Sequence, residues 1–257
     1  MKQMKFNSGK TILVLLLGFC VVAIINACSK SHDNTTTPPV TQNAYVSVTN
    51  ASPSSNMYNV YSDTMNIYTA GTLGYGTTTG INGGNPYETI VSGNHTIKLT
   101  SGGSSIILDS NGTFTGNSYS SFIVYDTGEN LKTLSLKDNL TAPSSGNAEV
   151  RFLNLSPNST ALNLWLINTD TTMKDSIQFS NIGYVGTGGI SADSLSTFKT
   201  VTAGTYKVLV NSITNLNLFT MDSITLASGK IYTVYSKGYV NGINNTDSLG
   251  VGVINNF

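Results

Sequence analysis

The sequence is poor in the groups that carry out chemistry. Its 257 residues include two cysteines, two histidines and one tryptophan, and only 10% are charged, against a typical ~25%. Cys20 lies in an apolar N-terminal stretch and Cys28 just beyond it. Nothing downstream can form a disulfide or a thiolate metal site. His32 lies in a polar segment and His95 in a strand-like one, so no credible base activates the many serines. Thirteen basic and thirteen acidic residues cancel. Nucleic acid, which requires a basic face, is therefore not an expected partner. No helical periodicity appears after residue 28.

The N-terminus supplies an address. Lys2, Lys5 and Lys10 precede an apolar run from Thr11 to Ile25. A run of about fifteen residues is short for a membrane span, which needs about 20, and has the layout of a secretory signal. Ile25-Asn26-Ala27-Cys28 resembles a bacterial lipobox, in which the cysteine is lipidated and becomes the first residue. Residues 1–27 are therefore expected to be a lipoprotein signal peptide. Residues 28–42, the lipidated Cys28 and a Thr/Pro-rich stretch, are expected to be a flexible tether. Ser29 follows the cysteine where Asp would favour the inner membrane, so the expected location is the outer membrane, periplasmic or surface-exposed.

The rest of the chain repeats. Ala44-Tyr-Val-Ser-Val-Thr-Asn50-Ala-Ser52-Pro53 returns as Ala148-Glu-Val-Arg-Phe-Leu-Asn154-Leu-Ser156-Pro157. Tyr58–Tyr61 returns as Leu162–Trp165, Gly93–Leu99 as Gly204–Val210, and Gly116–Phe122 as Gly229–Tyr235. Val46 and Val48 alternate with Tyr45, Ser47 and Thr49, the period of a half-buried strand. Proline cannot donate to a ladder, so each first strand ends at Asn-x-Ser-Pro, where Asn or Ser can bond the turn backbone. About seven short strands per copy predict an all-β fold. It consists of two tandem immunoglobulin-like antiparallel β-sandwiches, residues 43–141 and 147–257, joined by Ala142–Gly146. A closed barrel is the structural alternative.

These blocks resemble the bacterial family known as domain of unknown function 4397. The Val-x-Val-x-Asn-x-Ser-Pro opening, the Gly-x-x-x-Val/Ile strand and the Gly-x-x-Tyr-x-x-aromatic strand carry the resemblance, as two copies over most of residues 44–250. It implies extracytoplasmic, often lipid-anchored β-domains and brings no catalytic residues.

Other motifs read as structure. Asp126-Thr127-Gly128 matches an aspartic-protease triplet, but that chemistry needs two such carboxylates and the triplet occurs once. It reads as a tight turn. Gly74-Tyr75-Gly76 and Gly186–Gly189 lack the strand-loop-helix setting of a phosphate loop and read as flexible loops. Asp126, Glu129 and Asn130, or Asn168, Asp170 and Asp175, carry oxygen ligands without calcium-loop spacing. No metal or cofactor is expected. Trp165 and its counterpart Tyr61 are the best platforms for a ligand, although a large residue on an early strand is more usually core.

Six of the ten aspartates are followed by Ser or Thr and then by an apolar residue or Thr. About one or two would arise by chance. The form resembles the O-glycosylation site of some Gram-negative envelope proteins and would place glycans on Thr64, Thr171, Ser176, Ser194, Ser223 and Ser248. Asp-Ser and Asp-Thr also simply mark turns. The expected protein is a non-enzymatic, lipid-anchored surface binding, adhesion or spacer module, with the membrane and a glycan or envelope protein as partners. The alternative is an accessory glycan-binding subunit of an outer-membrane uptake complex.

Overall fold

The computed structural model describes residues 41–257, apart from 55, 81–83, 103–104, 171, 173–175, 244–246 and the side chain of 129. The signal peptide, Cys28 and most of the tether lie outside the described residues. Thr41–Phe257 form one compact unit. The first copy contains β1 (Asn43–Asn50), β2 (Asn59–Ser62), β3 (Met65–Asn66), β4 (Thr77–Thr78), β5 (Glu88–Val91), β6 (Gly93–Ser101), β7 (Ser105–Phe114), β8 (Tyr119–Tyr125) and β9 (Lys132–Asp138). The second contains β10 (Asn147–Asn154), β11 (Leu162–Asn168), β12 (Ser176–Ile182), a short helix α1 (Ala192–Ser196), β13 (Lys199–Thr202), β14 (Gly204–Ser212), β15 (Asn217–Leu226), β16 (Ile231–Lys237) and β17 (Gly250–Asn255).

The chain is all-β, and each copy is a two-sheet sandwich. In the first, the sheet β3-β2-β6-β7 faces the sheet β4-β1-β8-β9, with β5 also paired to β1. In the second, β12-β11-β14-β15 faces β13-β10-β16-β17. Most pairs are antiparallel. One pair per copy is parallel, β1 with β8 and β10 with β16, a feature that alternation cannot disclose. Val46, Val48, Phe122 and Val124 meet Val60, Ile97, Leu99 and Phe114 in the first core. Val150, Phe152, Tyr232 and Val234 meet Leu164, Leu166, Val208 and Val210 in the second. Each such aliphatic or aromatic burial contributes roughly 1.5–3 kcal/mol.

The strand ladders fix how the copies correspond. Ala51 N–H donates to Val124 O, and Leu155 N–H to Ser236 O. Val46 lies opposite Ser120, and Val150 opposite Tyr232. The partner of Tyr119 is therefore Ile231, and that of Phe122 is Val234. Matching Tyr119 to Tyr232 by residue type is off by one. Since a one-residue slip exchanges the two faces of a strand, only the observed register puts Phe122 and Val234 on the same side.

The register exposes a second departure. Ser47 and Thr49 form the polar face of β1, yet both are fully buried. The outer face of the β1-β8-β9 sheet packs on the outer face of the β10-β16-β17 sheet. Ile123, Tyr125 and Leu136 of the first copy cluster there with Leu153, Leu155, Tyr235 and Ile254 of the second. These inner sheets are covered on both sides, so β8 and β16 are buried almost throughout. The first strand is not half-buried, as its alternation implies. Its small hydroxyls fill a seam.

Candidate functional site: the seam between the sandwiches

The seam holds the most deeply buried charges among the described residues. Arg151 projects from β10 at the place Ser47 occupies on β1. Its Nη1 lies 2.7 Å from Asp138 Oδ1, with both side chains at most 1% exposed. Arg151 Nε donates to Thr233 Oγ1 (2.9 Å) and Nη2 to Ser121 Oγ (3.0 Å). The guanidinium also lies 4.6 Å from the ring centroid of Phe198. Asp138 Oδ2 accepts from Tyr87 Oη (2.7 Å) and Ser121 Oγ (2.6 Å). Asn256 donates to Tyr87 Oη (3.0 Å) and accepts from Thr233 Oγ1 (2.7 Å). The network therefore runs from copy to copy. A buried pair is tolerated when further hydrogen bonds hold its other atoms. Here Arg151 Nε and Nη2 and Asp138 Oδ2 have such partners, while Nη1 and Oδ1 face only each other.

The opposite end of the seam is rich in tyrosine. Tyr235 Oη donates to Gly76 O (3.3 Å) across the copies. The Lys237 ammonium lies 4.6 Å from the ring centroid of Tyr75. A Cβ on Gly76 would fall against that ammonium, and Gly76 has φ +73°, so glycine is required twice over. The Gly74–Gly76 segment is thus packed into the seam rather than free as a flexible loop. Burial lowers the pKa of Lys237. Burial, then Asp247 and Tyr239, pushes the Tyr75 phenol up to about 12. Tyr87, Tyr184 and Tyr235 are also raised, chiefly by burial.

A phenol whose folded pKa exceeds its unfolded value favours the fold fully below the unfolded value. That contribution is lost as pH rises through the folded one. At Tyr75 the window runs from 10.0 to about 12. An alkaline absorbance titration is therefore expected to show a late group of tyrosines that ionise together with unfolding. A single smooth titration of all thirteen tyrosines near pH 10 with the fold intact would contradict this.

The residues singled out by sequence fall elsewhere. Trp165 and Tyr61 lie on the outer faces of the outer sheets, each half-buried. Their neighbours Leu164, Leu166 and Val60 point into the cores. Trp165 sits opposite Leu209 and Gln178, and Tyr61 opposite Lys98 and Asn66. The expectation that they are core residues is corrected by the strand register.

His95 Nδ1 lies 2.7 Å from Asp63 Oδ2. The Thr96 N–H, then His95, holds the Asp63 carboxyl below its ordinary value. Asp126 bonds its neighbour Thr127 N (3.0 Å) and Lys132 Nζ (2.9 Å) in a turn at φ +68°. Asn168 and Asp170 likewise bond local backbone; Asp175 lies outside the described residues. Among the described residues no group of three or more His, Cys, Asp or Glu could hold a metal. None of their helices is long and apolar enough to cross a membrane.

The opening motif has a local task. Asn50 Oδ1 accepts from Ser52 N (3.1 Å), and Asn154 Oδ1 from Ser156 N (3.3 Å). Asn154 also accepts from Ser236 Oγ and donates to Thr160 O. The motif terminates a strand and anchors the turn to its neighbour.

Residues 44–165 match the model of a domain of unknown function, DUF4397. They belong to that family. The DUF4397 stretch spans the first sandwich and reaches through β10 into β11. It therefore contains both Asp138 and Arg151, together with the Asn-x-Ser-Pro turns of both copies. No curated protein matches the chain. Among solved structures, it is similar to a leucine-rich repeat protein from Bacteroides thetaiotaomicron VPI-5482 at 12% identity. That similarity covers 77% of this chain and 26% of that one, with a TM-score of 0.22. A likeness that low carries no inference about architecture or activity.

Proposed function

We propose that this DUF4397 chain is a non-enzymatic, lipid-anchored outer-membrane protein, periplasmic or surface-exposed. Its two sandwiches act as one binding, adhesion or spacer module. The observation that carries this reading is the use of its buried charge. Arg151 and Asp138 are locked to each other and to Tyr87, Ser121 and Thr233, so they join the sandwiches instead of facing a substrate. A stiff two-domain body on a polar tether suits display away from a bilayer. Anchoring would come from lipid on Cys28, and more than one acyl chain is needed for stable attachment.

Growth with labelled fatty acid tests the anchor. Label and membrane association are expected in the natural chain and lost in Cys28→Ser. An unlabelled, soluble natural chain would remove the anchor from the proposal.

The alternative, a glycan-binding subunit of an uptake complex, draws on Tyr61 and Trp165 facing outward. Glycosylation of the chain itself also has support. Thr64, Ser176, Ser194 and Ser223 are exposed. Ser248 is half-buried, with its hydroxyl donating to Gly242 O (3.1 Å). Thr171 lies outside the described residues. Intact mass of the exported protein is expected to exceed that of the lipidated polypeptide. Equality would exclude the modification.

A further inference from the structure

We propose that a cleft at one end of the seam binds a sugar ring, an inference that rests on the glycan-binding alternative and gives it a location. The cleft encloses about 460 Å³ and takes its walls from both sandwiches. That is within the roughly 300–1,000 Å³ of small-ligand sites. Tyr119 and Leu140 come from the first copy, Lys230, Asn255 and Phe257 from the second, and Asn85 from the β4–β5 connection.

The aromatic wall is preorganised. The Tyr119 ring stacks on Tyr45 at 4.8 Å with an interplanar angle of 17°. Tyr87 meets it edge-on at 5.0 Å and 74°. Tyr87 is in turn held by Asp138 and Asn256. The ion-pair network thus fixes the wall of the cleft, and little entropy remains to be lost when a ligand arrives. Phe257 is 48% exposed, a flat apolar surface left uncovered. The Lys230 ammonium lies 5.3 Å from its ring centroid.

The polar groups suit hydroxyls. Asn85 Oδ1 accepts from Tyr87 N (3.0 Å), which orients the amide and leaves Nδ2 to donate. Asn255 ends β17, and both it and Phe257 line the cleft. Its buried Oδ1 has no hydrogen-bond partner among the described residues. An unmet buried acceptor is costly, and a turn of the Asn255 side chain into the cleft would let a ligand hydroxyl satisfy it. Lys230 adds a second donor. Among the described residues, no acidic side chain lines the cleft. A pyranose ring matches this set, with a C–H face for the aromatic rings and adjacent hydroxyls that both donate and accept. Trp165, on the outer sheet, takes no part.

The test is an array of bacterial-wall, plant and host oligosaccharides probed with the folded chain, followed by titration of the best ligand. Phe257→Ala and Lys230→Ala are surface changes and are expected to weaken binding about tenfold or more. Tyr119→Phe keeps the stack and should bind normally, and Trp165→Ala should match the natural chain. Binding lost in Trp165→Ala but kept in Phe257→Ala and Lys230→Ala would overturn the seam site while leaving a glycan-binding protein. Binding to no oligosaccharide would overturn both, and the spacer reading would then rest on the Cys28 labelling.

Discussion

Arg151→Met is expected to destabilise the folded chain by about 3–5 kcal/mol, because it leaves a carboxylate buried without its counter-charge. Asp138 has no route to solvent, since both partners of the pair are at most 1% exposed. Asp138→Asn alone should also be costly, because it strands the guanidinium. The double change Arg151→Met, Asp138→Asn should recover most of the loss. Asn is already the residue at the equivalent position of the second copy, where Asn256 bonds Thr233 and Tyr87. Urea unfolding of the four proteins gives the coupling directly. Additive effects would mean that the two charges do not depend on each other, and the seam network would lose its ionic centre.

Phe122→Ala is expected to cost about 3–5 kcal/mol, the range for emptying a packed aromatic site. Phe122 is 1% exposed in the core of the first sandwich. Its effect should be visible in the second. The chain has one tryptophan, Trp165 on β11, so its fluorescence reports the second copy alone. If the seam couples the sandwiches, the Trp165 unfolding midpoint should move with Phe122→Ala. An unmoved midpoint beside a loss of β-structure signal would show that the first copy unfolds independently.

Much of the scaffold was legible. Alternation located β1 and β10, and Asn-x-Ser-Pro located their ends because proline stops a ladder whatever surrounds it. The repeat disclosed two copies of one strand order. The seam was not legible, for a physical reason. Alternation separates apolar from polar positions but cannot tell a polar face in water from one pressed against a second sheet. Ser47 and Thr49, alternating with Val46 and Val48, read as the open side of a half-buried strand, and nothing marked Ser121 or Arg151. Only their burial and their partners assign them. Trp165, read either as a ligand platform or as core, lies half-buried on an outer face by strand register. The cleft at Tyr119 was equally hidden, because its walls come from positions more than a hundred residues apart, such as Asn85 and Phe257. The excess of Asp-Ser/Thr triplets was visible, and the structure adds that four of their hydroxyls are exposed.

Scanning calorimetry of the unit from Thr41 to Phe257 tests the joining of the sandwiches most directly. One transition is predicted, with calorimetric and van't Hoff enthalpies equal, as for a single cooperative body. Two separable transitions, each with the enthalpy of about half the chain, would contradict it and return the protein to two independent domains on a string.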